Sequence, residues 1–225
     1  MTQKEEIAKN IESIKKENET FNFTLVAVSK TKPNDHVMEA YNAGQRDFGE
    51  NKVQELLPKF EALPKDIHWH FIGHLQRNKV KLIIPFVHLI HSVDSLRLLN
   101  EINKQALKEN IKVDCLLQMF IAKEETKYGL DEDELKDILD NHLENFKNVN
   151  VKGLMGMATF TEDHSIIDSE FKYLKGIFDA IKKNYSLPNL NMDILSMGMS
   201  HDYRIALKNG SNMIRIGSTI FGARN

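Results

Sequence analysis

Apolar residues fall into short unbroken runs separated by longer amphipathic stretches. The run Leu25-Val26-Ala27-Val28 is apolar at every position. A strand without polar alternation is buried on both faces, as in a parallel sheet. Ahead of it, Ile7, Ile11 and Ile14 recur at spacings of four and three among Lys, Glu and Asn, which predicts a peripheral helix over residues 3–18. After the first strand, at about 23–29, the pattern predicts a helix over 34–43 stopped by Gly44, a strand over 45–48, and a helix over 52–62 interrupted near Pro58. A strand over 68–72 follows, then a short helix over 78–84 and a strand over 86–90 closing at His91-Ser92. Asp94 is read as the cap of a helix reaching about residue 108, before a strand over 113–121. Asp131 opens an acidic-headed helix over 132–146, whose carboxylates suit the helix dipole. The remaining elements are strands over 149–155, 192–196 and 213–216, helices over 165–184 and 201–208, and a final turn over 217–221.

Eight strands alternating with helical segments in 225 residues predict an α/β fold: one (β/α)8 TIM-type barrel with an extra N-terminal helix. No Pro- or Gly-rich linker divides the chain, so residues 1–225 are read as a single domain. The alternative, an open doubly wound sheet, lacks the expected GxGxxG loop after its first strand. Phe21 and Phe23 are expected to pin the N-terminal helix to the barrel base.

Composition adds exclusions. A net charge of -2 gives no electrostatic reason to expect nucleic acid or a membrane as partner, and no apolar run reaches membrane-spanning length. The basic turn Arg77-Asn78-Lys79-Val80-Lys81 is short and lacks interleaved aromatics, so it reads as surface. The single cysteine, Cys115, excludes an internal disulfide and suits a reducing compartment; within Val113-Asp114-Cys115-Leu116-Leu117 it reads as a small buried side chain. The N-terminus MTQKEEIAKN has no signal-peptide core. A cytoplasmic monomer is the expectation.

In a barrel the residues just past each strand converge on one mouth. Lys30 stands there, two positions beyond the first apolar run. Taken alone, a solvated loop lysine beside Lys32 is the commoner reading. Gly198-Met199-Ser200 and Gly217-Ser218-Thr219 follow the seventh and eighth strands, where barrels frequently bind phosphate. Closure of the barrel brings Lys30 beside them. An amine, an anion cradle and Arg215 fit pyridoxal 5′-phosphate (PLP) held as a Schiff base. A metal-dependent hydrolase is the competing idea, since His68 and His70 share a strand face and His74, His88 and His91 follow. No strand end offers a clear Asp, and Glu50 is the nearest candidate. The histidines are therefore read without a metal: His68 near the strand base, His70 as a pocket wall, the others as capping or surface donors. Met155, Met157, Met192, Met197 and Met199 read as packing.

Six segments carry a family resemblance: Ser29-Lys30-Thr31-Lys32-Pro33, Phe48-Gly49-Glu50-Asn51, Trp69-His70-Phe71-Ile72-Gly73-His74, Gly153-Leu154-Met155-Gly156, Ser196-Met197-Gly198-Met199-Ser200 and Arg215-Ile216-Gly217-Ser218. In this order, from about residue 23 to Asn225, the chain resembles the pyridoxal phosphate homeostasis protein family. The resemblance implies a barrel like the N-terminal domain of alanine racemase, with PLP covalently on Lys30. It implies that Ser200, Gly217 and Ser218 hold the phosphate and that Arg215 faces the pyridine nitrogen. Asn51, His70 and Ile72 would line the pocket, with Met199 beside the phosphate through its backbone. One departure is His201-Asp202-Tyr203, where the family usually carries an acidic run.

A guanidinium donates to the pyridine nitrogen but hardly protonates it, so the ring is a weak electron sink. A racemase also needs a second base, which alanine racemase-like enzymes take from a C-terminal domain of a partner subunit. The chain ends at Arg224-Asn225, directly after the last strand. The expectation is a PLP binder serving homeostasis and delivery to PLP-dependent apo-enzymes, without robust catalysis. The alternative is a racemase-like PLP enzyme, which proton exchange at Cα of added amino acids would reveal.

Overall fold

A computed structural model describes residues 3–122 and 128–222. Eight parallel strands close into a barrel in sequence order. They are β1 (Thr24–Val28), β2 (Asp47–Glu50), β3 (His68–Phe71), β4 (Leu89–Val93), β5 (Val113–Met119), β6 (Val149–Gly156), β7 (Leu190–Ser196) and β8 (Met213–Ile216). The helices are α1 (Gln3–Glu17), α2 (Asn34–Asn42), α3 (Val53–Ala62), α4 (Val80–Ile83), α5 (Leu96–Lys108), α6 (Glu132–Asp137), α7 (His164–Asn184), α8 (Tyr203–Lys208) and α9 (Ser218–Phe221). The chain thus has the expected (β/α)8 architecture with an added N-terminal helix. None of the described helices is long and apolar enough to cross a membrane.

Alternation along each strand sorts the side chains into two packed regions. Val26, Leu89, Leu116, Met155 and Met213 form a small cluster inside the barrel. Their neighbours Leu25, Ala27, Phe48, Trp69, Phe71, Ile90 and Cys115 join the larger core beneath the helices. The barrel closes where β1 runs beside β8, pairing Val26 with Arg215 and Ala27 with Ile216.

α1 docks through Ile7, Ile11 and Ile14, all buried. It lies against α2 and α9, and Asn10 donates to the Ile220 carbonyl at 3.1 Å. These three isoleucines do the pinning expected of the phenylalanines. Phe21 is 37% exposed, and Phe23 only borders the core.

Five elements differ from the sequence reading. β2 begins at Asp47, because buried Gln45 turns its amide to the Leu25 and Asp47 carbonyls, at 2.5 and 2.8 Å, at the strand foot. β4 begins at Leu89 and contains His91 and Ser92. Phe86 instead stacks on Phe60 of α3, with centroids 3.8 Å apart. α3 runs unbroken through Pro58. α5 is capped by Ser95, whose hydroxyl accepts from the Leu98 amide at 3.3 Å. The helix expected over 132–146 ends at Asp137 and gives way to wider and tighter turns over Ile138–His142 and Leu143–Asn145.

Candidate functional site

A cavity of about 520 Å³ opens at the carboxyl ends of the strands. Lys30, Asn51, Ile72, Met199, Ser200, Arg215, Gly217 and Ser218 all line it. Val28, Gln118 and Met157 complete its wall, and His74, Tyr128, Phe160 and His201 reach it from the rim.

Lys30 is half-buried just past β1. Its backbone is held on both sides by α3. Lys59 donates to the Ser29 carbonyl at 2.7 Å, and the Thr31 amide donates to Glu55 Oε2 at 2.7 Å. Thr31 takes the left-handed conformation, with φ 64°, which turns the chain sharply after the lysine. The Ser29 hydroxyl and Lys59 both donate to Glu50 Oε1, at 2.7 and 2.6 Å. Glu50 therefore faces the helix layer, away from any site at the mouth.

The loops after β7 and β8 are tied together by Ser200, whose hydroxyl accepts from the Gly217 amide at 3.3 Å. Gly198 has φ +99°, and a Cβ there would sit 2.6 Å from the Ala206 Cβ, so only glycine lets this loop fold back on α8. Buried Asp202 accepts from the Met199 amide at 2.5 Å. That hydrogen bond occupies the Met199 N–H, leaving its side chain as wall. Asp202 stands where the resemblance led to an acidic run, and its role is to shape the loop.

Arg215 is 3% exposed. It donates to Ser196 Oγ at 2.6 Å and to the Gly156 carbonyl at 3.1 Å. Burial lowers its pKa to about 10, against the opposing field of Asp202, and it stays cationic at neutral pH. Asn51 borders the cavity with its buried Oδ1 lacking a hydrogen-bond partner within the protein. Its main chain packs so tightly on Gly73 that a Cβ on Gly73 would lie 2.3 Å from the Asn51 carbonyl oxygen.

His70 is not part of the cavity wall. It is fully buried below it, with Nδ1 2.9 Å from His91 Nε2 and Nε2 3.1 Å from Asp47 Oδ1. His91 Nδ1 is 3.1 Å from Ser196 Oγ. A polar column thus runs through the barrel from Asp47 to Arg215. His91 is an interior group and not the surface donor expected from sequence. Burial lowers the pKa of both His70 and His91, and that of His91 furthest, so the column is built of neutral rings.

Sequence reasoning missed Lys59, the interior column and the aromatic rim. Lys59 continues the buried spacing Val53, Leu56, Lys59 on α3, and that spacing was its one available signal. At the rim His74 stacks on Tyr128 with centroids 4.3 Å apart, and Phe160 meets His201 edge-on at 5.1 Å.

Fold and mouth together define a (β/α)8 barrel of the alanine racemase N-terminal type, and the family model "Alanine racemase, N-terminal domain" matches residues 3–225. A pyridoxal phosphate homeostasis protein of Aquifex aeolicus is 42% identical over 201 residues, spanning 89% of this chain and 86% of the relative. The human protein of the same name is 40% identical over 213 residues, covering 89% and 76% of the two chains. The chain belongs to the pyridoxal phosphate homeostasis protein family. The solved structure of PipY from Synechococcus elongatus with PLP bound superposes with a TM-score of 0.86 at 33% identity, over 96% of this chain and all of that one.

Proposed function

We propose that this chain holds PLP at the barrel mouth, covalently on Lys30, and serves intracellular PLP homeostasis by storing and delivering it. The observation that carries the reading is that one opening is lined by Lys30, Arg215 and the Ser200–Gly217–Ser218 loop pair. The residues fit the cofactor. The loop pair offers the Ser200 and Ser218 hydroxyls for a phosphate, and Arg215 offers a donor for a ring nitrogen. The unpartnered Asn51 Oδ1 offers an acceptor for a donor on the ligand. Ile72 and Met199 supply apolar walls. The name of the relatives and the PLP bound to PipY support the same ligand.

PLP supplies a reactive aldehyde when bound. The protein's own groups restrain further chemistry. Arg215 donates hydrogen bonds to Ser196 and Gly156 and keeps its proton at neutral pH, so it is a poor acid toward a ring nitrogen. That supports a carrier over a racemase. Tyr128 and Phe160 are 58% and 75% exposed at the rim, which leaves the mouth open to a recipient. PLP-dependent apo-enzymes are the partner class this reading implies. We take the chain to act as a single-domain monomer in the cytoplasm, where its one buried cysteine stays reduced.

Borohydride reduction of the PLP-loaded protein followed by peptide mass spectrometry tests the assignment. One pyridoxyl adduct is expected, on Lys30, absent from Lys30→Ala. A dominant adduct on another lysine overturns it. Deuterium exchange at Cα of added amino acids, well above that of free PLP, would favour an enzyme instead.

A further inference from the structure

At the end of the barrel opposite the cavity, four side chains meet at the feet of β2, β3 and β4. Among the described residues, Asp47, His70 and His88 are the one set of three potential ligands whose donor atoms all lie within 4.8 Å of one another. His68 joins them, with Nδ1 3.3 Å from Asp47 Oδ1, the same oxygen that lies 3.1 Å from His70 Nε2. The His88 ring stacks on His68 at 4.5 Å and lies 5.3 Å from His70. We propose that this floor cluster binds a divalent transition-metal ion of the zinc class, with Asp47, His70 and His88 as ligands and His68 closing the set.

Three imidazoles and one carboxylate are the donor types such ions select. Bonds of about 2.0–2.2 Å place tetrahedral ligands roughly 3.4 Å apart, so Asp47, His70 and His88, within 4.8 Å of one another, need only a modest closure, while His68 must swing in from its contact with Asp47. The closure falls to exposed His68 and His88, while fully buried His70 is the fixed point. In the metal-free arrangement one carboxylate oxygen serves two rings, and a cation at the centre would use lone pairs that this oxygen cannot reach.

A metal-binding histidine is ordinarily oriented by a partner on its other nitrogen. His70 has one, because Nδ1 faces His91 Nε2 at 2.9 Å. With Nε2 given to a metal, His70 keeps its proton on Nδ1 and donates to His91. His91 then donates from Nδ1 to Ser196 Oγ, which also accepts from Arg215 at 2.6 Å. Every ring nitrogen in the column is satisfied in that direction. Without a metal the column satisfies itself in reverse, with His70 Nε2–H donating to Asp47 and the Ser196 hydroxyl to His91. The floor is therefore built so that an ion can replace one hydrogen bond without orphaning a buried ring nitrogen.

Its ligands lie outside the mouth, so metal binding can be read without PLP. The test uses the untagged 225-residue chain, stripped with a chelator, and titrates Co²⁺ by its visible d–d absorption and Zn²⁺ by calorimetry. One equivalent is expected, with Zn²⁺ displacing Co²⁺. His88→Ala and Asp47→Asn should each weaken binding by at least about tenfold. His164→Ala on α7 should leave it unchanged. Circular dichroism checks that each variant is folded, and His88→Gln replaces any that is not. Absence of saturable one-to-one binding, or binding that survives both floor substitutions, overturns the proposal.

Discussion

Lys59 and Glu50 form a buried ion pair, 2.6 Å apart, in the layer between α3 and the barrel. The same ammonium grips the Ser29 carbonyl, so the pair fixes the strand end from which Lys30 projects. Removing one partner would leave an uncompensated charge beneath the helices. Lys59→Met is expected to cost about 3–5 kcal/mol in a urea unfolding titration. Glu50→Leu combined with Lys59→Met should recover a large part of that loss. A single substitution without measurable effect would show that the pair does not hold the strand end.

The cradle makes a prediction about ligand choice. Hydrogen bonds to a charged group contribute about 1.5–3 kcal/mol each. Ser200→Ala and Ser218→Ala should each weaken PLP binding by about 10- to 100-fold, at roughly 1.4 kcal/mol per tenfold. Pyridoxal, which has no phosphate, should be little affected. Fluorescence titration of both ligands checks this, and equal losses would place the phosphate elsewhere.

Gly198 supports the same loop through its backbone. With φ at +99° and Ala206 in the way, Gly198→Ala should destabilise the fold by more than about 1 kcal/mol. It should also lower PLP affinity, because the Ser200–Gly217 bridge depends on that turn. Thermal unfolding together with PLP titration reads both effects.

Cys115 predicts both a reactivity and a pH dependence. It is fully buried, and burial with the nearby Asp114 carboxylate pushes its thiol pKa far up. Ellman's reagent should find no reactive thiol in the native chain and one in denaturant. The unfolded thiol ionises near about 8.5. The folded state keeps its proton above that pH, so it binds more protons than the unfolded state. Stability then falls as pH rises past that value, by about 1.4 kcal/mol per pH unit from this group. Comparing the slope between pH 8 and pH 10 with that of Cys115→Ala isolates the contribution.

What could be read in advance depended on whether the signal was local. Leu25–Val28 announces a buried strand through an unbroken apolar run, and the glycine turns over 198–200 and 217–219 are each contiguous in the chain. The Lys59–Glu50 pair is different. A lysine and a glutamate nine positions apart look like ordinary surface charge until α3 folds over β2. The interior column is harder still, because His91 and Ser196 are 105 residues apart in the chain. Phe86 and Val87 misled for a related reason. Their apolar character serves the helix–sheet layer, and the strand starts only at Leu89.

The pairing of Thr24 with Met213 has a consequence for how the protein is made. Contacts between the two ends of a chain form late, since the intervening polymer must first be arranged. A nascent polypeptide leaving the ribosome presents Lys30 well before β8 and the Gly217-Ser218 turn are made. On the function proposed above, a product truncated before β8 would carry Lys30 without the Gly217-Ser218 wall of the mouth.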